Sequence, residues 1–464
     1  MVTAINRRIH SYLFRGVSIA PLVAFRIIFG ALMLFGALRF IAKGWVQDLY
    51  ITPQIYFPYL GFEWIKPLPG NWMYAPFVLM VVAATGILLG FRYRFSAILF
   101  FVCFTYIELI DKSNYLNHYY FVSLVAFLMC WVPANASFSL DTYRKPSLRK
   151  QLVPAWTILI IQLQLSTVYF FAGIAKLNSD WLFHAQPLKI WLQAYRDMPY
   201  LGSFFASAWL AFAFSWFGCF YDLTIPFFLR FRKTRAVAYV FVIIFHIVTW
   251  LLFPIGVFPW VMIFSTLIFF SPEFHERWLN ALKYLFGKRN TTTENAYTVP
   301  KSTRVITLAL GLYLAIQVLV PLRFVLYPGD LFWNEEGFRF SWRVMLMHKE
   351  GYATFYVVDP NTGNSIQIVN SQYLTTTQED QFATQPDMIL QFAHHLGKQF
   401  NDTVIQYGTQ QVHLKHPKIE AEVYVSLNGR PHQLFISRKT NLLNETYSLK
   451  HRTWIETFHD TENF

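Results

Sequence analysis

Charge is what this chain of 464 residues has least of: Asp, Glu, Lys and Arg make up 14% of it, against 55% hydrophobic and 19% aromatic residues. So little polar surface excludes an ordinary soluble multidomain protein and places the chain in a bilayer. Cysteine is scarce as well. Cys103, Cys130 and Cys219 are the three present, each inside an apolar run, which leaves neither a disulfide framework nor a zinc site. Acidic residues fall short of basic ones, 26 against 39, for a formal charge of +13. That excess does not point to nucleic acid, because no recognition motif accompanies it and most Lys and Arg lie in short loops between apolar segments. Complete metal-ligand sets are missing too: His394-His395 and His413-Leu414-Lys415-His416 lack further ligands at suitable spacing and read as solvated faces. There are no internal repeats and no low-complexity tracts.

What the chain has instead is long apolar stretches. A membrane helix needs about 20 apolar residues, and nine stretches qualify on composition, near 18–40, 74–91, 95–110, 118–134, 153–175, 203–229, 236–253, 257–271 and 304–322. The seventh and eighth are separated only by Phe253-Pro254-Ile255-Gly256, so they read as a broken pair or a re-entrant element. A basic segment around Arg7, Arg8 and Arg15 precedes the first stretch, which reads as an interfacial helix followed by a signal anchor rather than a cleaved leader.

Alternate connections carry the positive charge: Arg7, Arg8 and Arg15; Arg92 and Arg94; Arg144, Lys145, Arg149 and Lys150; Arg230, Arg232, Lys233 and Arg235; Arg277, Lys283, Lys288, Arg289 and Lys301. The opposite loops hold only Lys43, Lys66, Lys112, Lys176, Lys189 and Arg196, an asymmetry of roughly threefold that places the N-terminus in the cytoplasm. An odd number of spans then exports the tail. His118, opening the fourth span, and Lys176, closing the fifth, fall on that same exported face.

The expected architecture is a multi-pass α-helical membrane protein of about nine spans over residues 1–322, followed by an exported α+β domain over 323–464. In the tail, Tyr352 to Val358 and Ser365 to Val369 read as strands joined across Asp359-Pro360-Asn361-Thr362-Gly363. Glu420 to Ser426 pairs with His432 to Ile436 across Asn428-Gly429. A helix near Pro386 to Phe400 presents Met388, Leu390, Phe392 and Leu396 among polar residues.

Several blocks resemble a known family, in order along the chain. They are Pro67-Leu68-Pro69-Gly70-Asn71-Trp72-Met73-Tyr74, Gly90-Phe91-Arg92-Tyr93-Arg94, Asp111-Lys112-Ser113-Asn114-Tyr115-Leu116-Asn117-His118-Tyr119-Tyr120, the run from Tyr169 through Lys176 to Trp181, Phe253 to Met262, and Phe338-Arg339-Phe340-Ser341-Trp342. Together they are similar to the vitamin K-dependent gamma-glutamyl carboxylases over roughly residues 20–450. The chain is shorter than the vertebrate enzyme and lacks its inter-domain disulfide, so a bacterial relative is expected, without recognition of a vertebrate-type propeptide.

The resemblance implies a reaction and its residues. Reduced vitamin K (the hydroquinone), dioxygen and carbon dioxide would be consumed, with no metal, to turn glutamate in a peptide or protein into gamma-carboxyglutamate. Lys176 matches the base that activates the hydroquinone, and His118 the group that assists carboxylation. Tyr169, Phe258 and Met262 match positions near the quinone. Asn117, Phe340 and Trp342 fall in blocks associated with the glutamate substrate.

The chemistry supports that division. Removing a proton from the gamma-carbon of glutamate is beyond a Lys that titrates near 10.4, so a stronger base must be made in the site. Deprotonating a phenol-like hydroxyl, comparable with Tyr near 10, asks much less and suits a neutral amine. Phe170, Phe171 and the quinone are expected to shield Lys176 from water and favour its uncharged form. His118, at the positive end of its helix, is expected to be a neutral imidazole that donates to an oxyanion during carbon dioxide capture.

Taken singly, these residues have plainer readings. Lys176 could be an anchor snorkelling to headgroups, and His118 an interfacial histidine; His246 reads equally as a hydrogen-bonded core group or a ligand. Arg26, inside the first span, needs an intramembrane partner such as Asp222 or Glu108. Two other functions fit the same chain: hydroquinone epoxidation without peptide carboxylation, and transport, with Arg26 and Asp222 on the pathway. The membrane is expected to be a bacterial inner membrane or the endoplasmic reticulum.

Overall fold

The structure, a computed structural model, describes residues 2–285, 297–407 and 410–460. Of the basic connection before the last expected span, Lys288 and Arg289 lie outside the described residues.

An amphipathic helix, α1 (Val2–Phe14), leads through a short strand, β1 (Gly16–Ser18), into α2 (Ala20–Ala42). There follow α3 (Tyr74–Leu89), α4 (Tyr93–Ile110), α5 (Asn117–Trp131), β2 (Leu152–Pro154), α6 (Trp156–Ala175), α7 (Ala208–Arg230), α8 (Arg235–Leu252), α9 (Phe258–Thr266), α10 (Pro272–Leu285) and α11 (Thr303–Leu322). Strands β1 and β2 pair antiparallel and tie the chain's start to the base of α6.

Among the described residues, seven helices are long and apolar enough to cross a membrane: 20–42, 70–89, 93–110, 156–175, 208–230, 235–252 and 303–326. The chain is therefore a multi-pass helical membrane protein. The fourth and eighth expected spans are shorter. Helix α5 has 15 residues, a rise of about 22 Å against a hydrocarbon core of about 30 Å. Helix α9 extends as a tight turn only to Phe269. It follows the Phe253–Gly256 break, where Gly256 turns through a φ of 61°.

Close helix crossings rest on glycine. A Cβ on Gly30 of α2 would stand 2.5 Å from the backbone nitrogen of Leu88 in α3, and one on Gly173 of α6 would stand 2.7 Å from that of Leu223 in α7. Small residues at such points let two backbones approach where lipid supplies no hydrophobic drive between helices. The Gly90-Phe91-Arg92 turn is built similarly: Gly90 is left-handed, and the distant Asp141 carboxylate accepts from the Arg92 and Tyr93 amides at the start of α4.

After residue 326 the pattern changes to strands. A four-stranded antiparallel sheet runs in the order β4 (Ser365–Gln367), β3 (Lys349–Val358), β7 (Lys418–Leu427), β8 (Gln433–Ile436). Strands β5 (Thr403–Tyr407) and β6 (Gln410–Leu414) form a separate hairpin. The two expected strand pairs are present, β3 with β4 and β7 with β8. Alternate residues of β7, Ile419, Ala421, Val423 and Val425, point into the core, as the period of two requires. Helix α12 (Thr376–Phe382) opens with a capping box from Thr375 and Gln378. Helix α13 (Pro386–Phe400) packs on the sheet through Met388, Leu390, Phe392 and Leu396, the face expected from its pattern.

Buried polar pairs fasten this region to the helices. Arg430 grips Asp180 with both terminal nitrogens, at 2.7 and 2.8 Å, and Asn428 donates to the same carboxylate at 2.6 Å. Lys112 and Arg339 converge on Asp387 at 2.8 and 2.6 Å. Gln378 donates to Asp111 at 3.0 Å. Burial opposes ionisation of Asp387, but the Arg339 guanidinium and the Lys112 ammonium outweigh it and hold the carboxyl well below the usual range. Asp180 is also depressed, burial being outweighed by its bonds from Arg430 and Asn428. Where a disulfide is missing, charge-assisted hydrogen bonds join the two parts.

Candidate active site

Lys176 follows the last residue of α6, and its side chain folds back along the helix. Its Nζ donates to Asp222 Oδ2 at 2.8 Å and to the Ala172 carbonyl at 3.3 Å. Both side chains of the pair are 7% exposed. The Gly173–Leu223 crossing brings the two helices together at this level, one residue from Asp222. Trp181 covers the amine from outside, its ring centre 5.2 Å from Nζ. Trp181 is fixed in turn, donating through Nε1 to the Ser215 carbonyl.

Beside the pair is a cavity of about 240 Å³ between α6, α7, α8 and α9, its wall almost wholly apolar. Tyr169, Phe258 and Met262, three positions expected near a ring ligand, line it together with Lys176, Asp222, Trp181 and His246. The shield around Lys176 differs from expectation. Phe170 and Phe171 are not on the cavity wall, which is closed by Trp181, Trp191, Phe214 and Phe217; Phe170 is 38% exposed, because the helical period turns it outward.

His118 is buried at the first turn of α5 and lines a second cavity of about 450 Å³, with Arg39, Glu108 and Tyr119. The ring of Phe258 stands between the two chambers, its centre 5.5 Å from the His118 ring and 5.8 Å from that of His246. Helix α9 is thus the partition: Phe258 and Met262 face the lysine chamber, while Val261 and Phe264 face the histidine chamber.

Asn117, Phe340 and Trp342 lie together where the tail meets the helices. Asn117 Nδ2 donates to the Arg343 carbonyl at 3.0 Å, and the Phe340 amide donates to Tyr115 Oη at 2.8 Å. Trp342 is 1% exposed and stacks on Tyr120 at 4.9 Å. Neither Phe340 nor Trp342 reaches the lysine chamber; Val344 and Met345, two and three residues after Trp342, do. Phe340, Trp342 and Met345 all take left-handed φ values, 61°, 60° and 53°. A non-glycine residue there costs on the order of 1–3 kcal/mol and persists only where neighbours hold it, a frequent mark of functional segments.

Arg26 corrects an expectation. It pairs with neither Asp222 nor Glu108 but donates to the Phe138 carbonyl, while Asp222 belongs to Lys176. The two charges that a transport pathway would share have different partners. Among the residues sequence reasoning did not place in the site, Asp222 carried a signal, a carboxylate inside an apolar span; the register of α7 against α6 decided what it meets.

Residues 14–274 match the HTTM domain family, and residues 302–461 match the vitamin K-dependent gamma-carboxylase lumenal domain. The chain belongs to the vitamin K-dependent gamma-carboxylase family. No solved structure matches it. Among the described residues no group of three or more His, Cys, Asp and Glu could hold a metal ion. The residues present suit a fused aromatic ring as gamma-carboxylase cofactor: aromatic and thioether walls, a buried amine at one level and a Tyr169–His246 pair at another.

Proposed function

We propose that the chain is a vitamin K-dependent gamma-glutamyl carboxylase. It would couple epoxidation of reduced vitamin K by dioxygen to carboxylation of glutamate in a peptide or protein. The observation that carries the reading is the Lys176–Asp222 pair on the wall of an apolar chamber framed by Tyr169, Phe258 and Met262. The basic loops favour a cytoplasmic N-terminus, with the tail and active site on the exported side of a bacterial inner membrane or the endoplasmic reticulum.

Vitamin K hydroquinone, once bound, supplies with dioxygen a base stronger than any side chain. The chain's own work is to start and contain that chemistry. Lys176 Nζ takes the proton of a phenol-like hydroxyl, which requires the amine to be free of its own. Asp222 Oδ2, at 2.8 Å, is the group placed to hold the amine's own proton, since an amine beside a carboxylic acid avoids separated charges in the apolar chamber. Trp181 and the surrounding phenyl rings keep water from the site. Across the Phe258 partition, His118 presents an imidazole that donates to the anion formed as carbon dioxide is captured. The strained segment from Phe340 to Met345 runs from the tail to the chamber wall and brings the glutamate side chain in.

The separation of His118 from the lysine chamber keeps a second reading in play, epoxidation without peptide carboxylation. One assay divides them: purified protein, hydroquinone, labelled bicarbonate and a short Glu-containing peptide, with epoxide followed in parallel. Epoxide together with fixed label supports the carboxylase. Epoxide alone supports the second reading, and neither product rejects both.

A further inference from the structure

His246 is the polar residue on the buried stripe of α8, Ala238, Val242 and His246, whose spacing of four keeps it on the face turned to the bundle. It is 2% exposed and lines the lysine chamber. Its Nε2 lies 3.0 Å from Tyr169 Oη. Its Nδ1 is buried and has no hydrogen-bond partner among the described residues. In a bilayer an orphaned ring nitrogen has no water to turn to, so leaving it unpaired costs stability unless something in the chamber completes it.

The position of that nitrogen matters as much as its vacancy. Lys176 Nζ is bonded at the level of Ala172, and Tyr169, the partner of His246, lies three residues further back on the same helix, a rise of about 4.5 Å. Lys176 and His246 thus line one apolar chamber from different helices and at different levels, and a hydroquinone has two oxygens, para to each other, for two such partners.

We propose that His246 Nδ1 is the hydrogen-bond partner of the ring oxygen remote from Lys176, with Tyr169 setting the tautomer that presents it. When Nε2–H donates to Tyr169 Oη, Nδ1 is bare and accepts from a ring hydroxyl. When Tyr169 donates to Nε2, Nδ1 carries the hydrogen and donates to a ring carbonyl. The same residue therefore serves the reduced and the oxidised ring without gaining charge. His246 is a positioning residue on this view, and the inference rests on the chamber being the quinone site.

Binding to the full chain in detergent micelles, followed by titration calorimetry, tests this without turnover. The probes are 2-methyl-1,4-naphthoquinone and 2-methyl-1-tetralone, which keeps one of the two oxygens. The unaltered protein should bind the dione more tightly, by about tenfold. An asparagine amide reaches where Nδ1 stands, and a glutamine amide where Nε2 stands. His246→Asn should therefore keep the preference, and His246→Gln, which retains the contact to Tyr169 and so the packing, should lose it. A preference lost in His246→Asn but kept in His246→Gln overturns the proposal and leaves His246 as a prop for Tyr169. Equal binding of dione and monoketone by the unaltered protein also overturns it. If neither probe binds the unaltered protein, the quinone reading of the chamber falls as well.

Discussion

Gly173 and Leu223 meet backbone to side chain where α6 crosses α7, and this crossing sets the distance between Lys176 and Asp222. A methyl group at 173 would sit 2.7 Å from both the nitrogen and the Cγ of Leu223. Gly173→Ala should therefore cost about 1–3 kcal/mol through overpacking and slow quinone turnover by parting the pair. Gly311→Ala is the control, since a Cβ at Gly311 meets nothing within 4 Å among the described residues. Equal melting temperatures and equal epoxide rates for the two variants would rule this out.

Asp222→Asn removes the proton acceptor while keeping the size of the side chain. The expected result is a fall of about 10²-fold or more in kcat for epoxide formation with KM little changed, because the apolar walls that bind the ring are untouched. Lys176→Ala should reduce turnover at least as much. Quinone turnover unaffected by both substitutions would refute the assignment of the base.

His118 lines a separate chamber, so under the proposed division of labour its loss should be selective. His118→Ala is expected to lower label fixation into peptide by about 10²-fold while epoxide formation falls far less. Parallel measurement of the two products decides it, and an equal loss of both would show that Phe258 does not divide the labour.

The docking of the tail on the helices should be acid-sensitive. Asp387 and Asp180 have folded values depressed below their unfolded ones. Their ion pairs thus contribute stability that is fully present above the unfolded carboxyl range, near 3.9, and is lost as pH falls below it through the folded values. Limited proteolysis in nanodiscs should show the tail intact at pH 7 and cleaved faster at pH 3. Asp180→Asn, which removes the buried carboxylate from Arg430 and leaves it paired with the more exposed Asp460 at 2.7 Å, should release it at higher pH and cost about 1–3 kcal/mol. A tail equally resistant at both pH values would count against the clamp.

Much of this was legible in the residues. Apolar run length gave the multi-pass class, the period of two gave the β3–β4 and β7–β8 pairs, and a scatter of apolar positions gave the buried face of α13, because each is a local pattern. Lys176, Tyr169, Phe258 and Met262 do share one chamber, as the ordered blocks implied. The number of long spans was less legible: α9 is apolar but too short, α5 has only 15 residues, and apolarity alone does not separate a crossing helix from one buried against its neighbours.

Partnership was not legible at all. Arg26, Glu108 and Asp222 are each a charge in an apolar run, and nothing in the run says which meets which. Composition and periodicity determined that this chain enters a membrane and carries a folded α+β tail, since those properties follow from interactions within a few residues. Only the tertiary structure decided that Asp222 faces Lys176, that Phe258 divides two chambers and that His246 has one nitrogen to spare. Those relations depend on the rotation and depth of one helix against another, which close approaches such as Gly173 on Leu223 help to set.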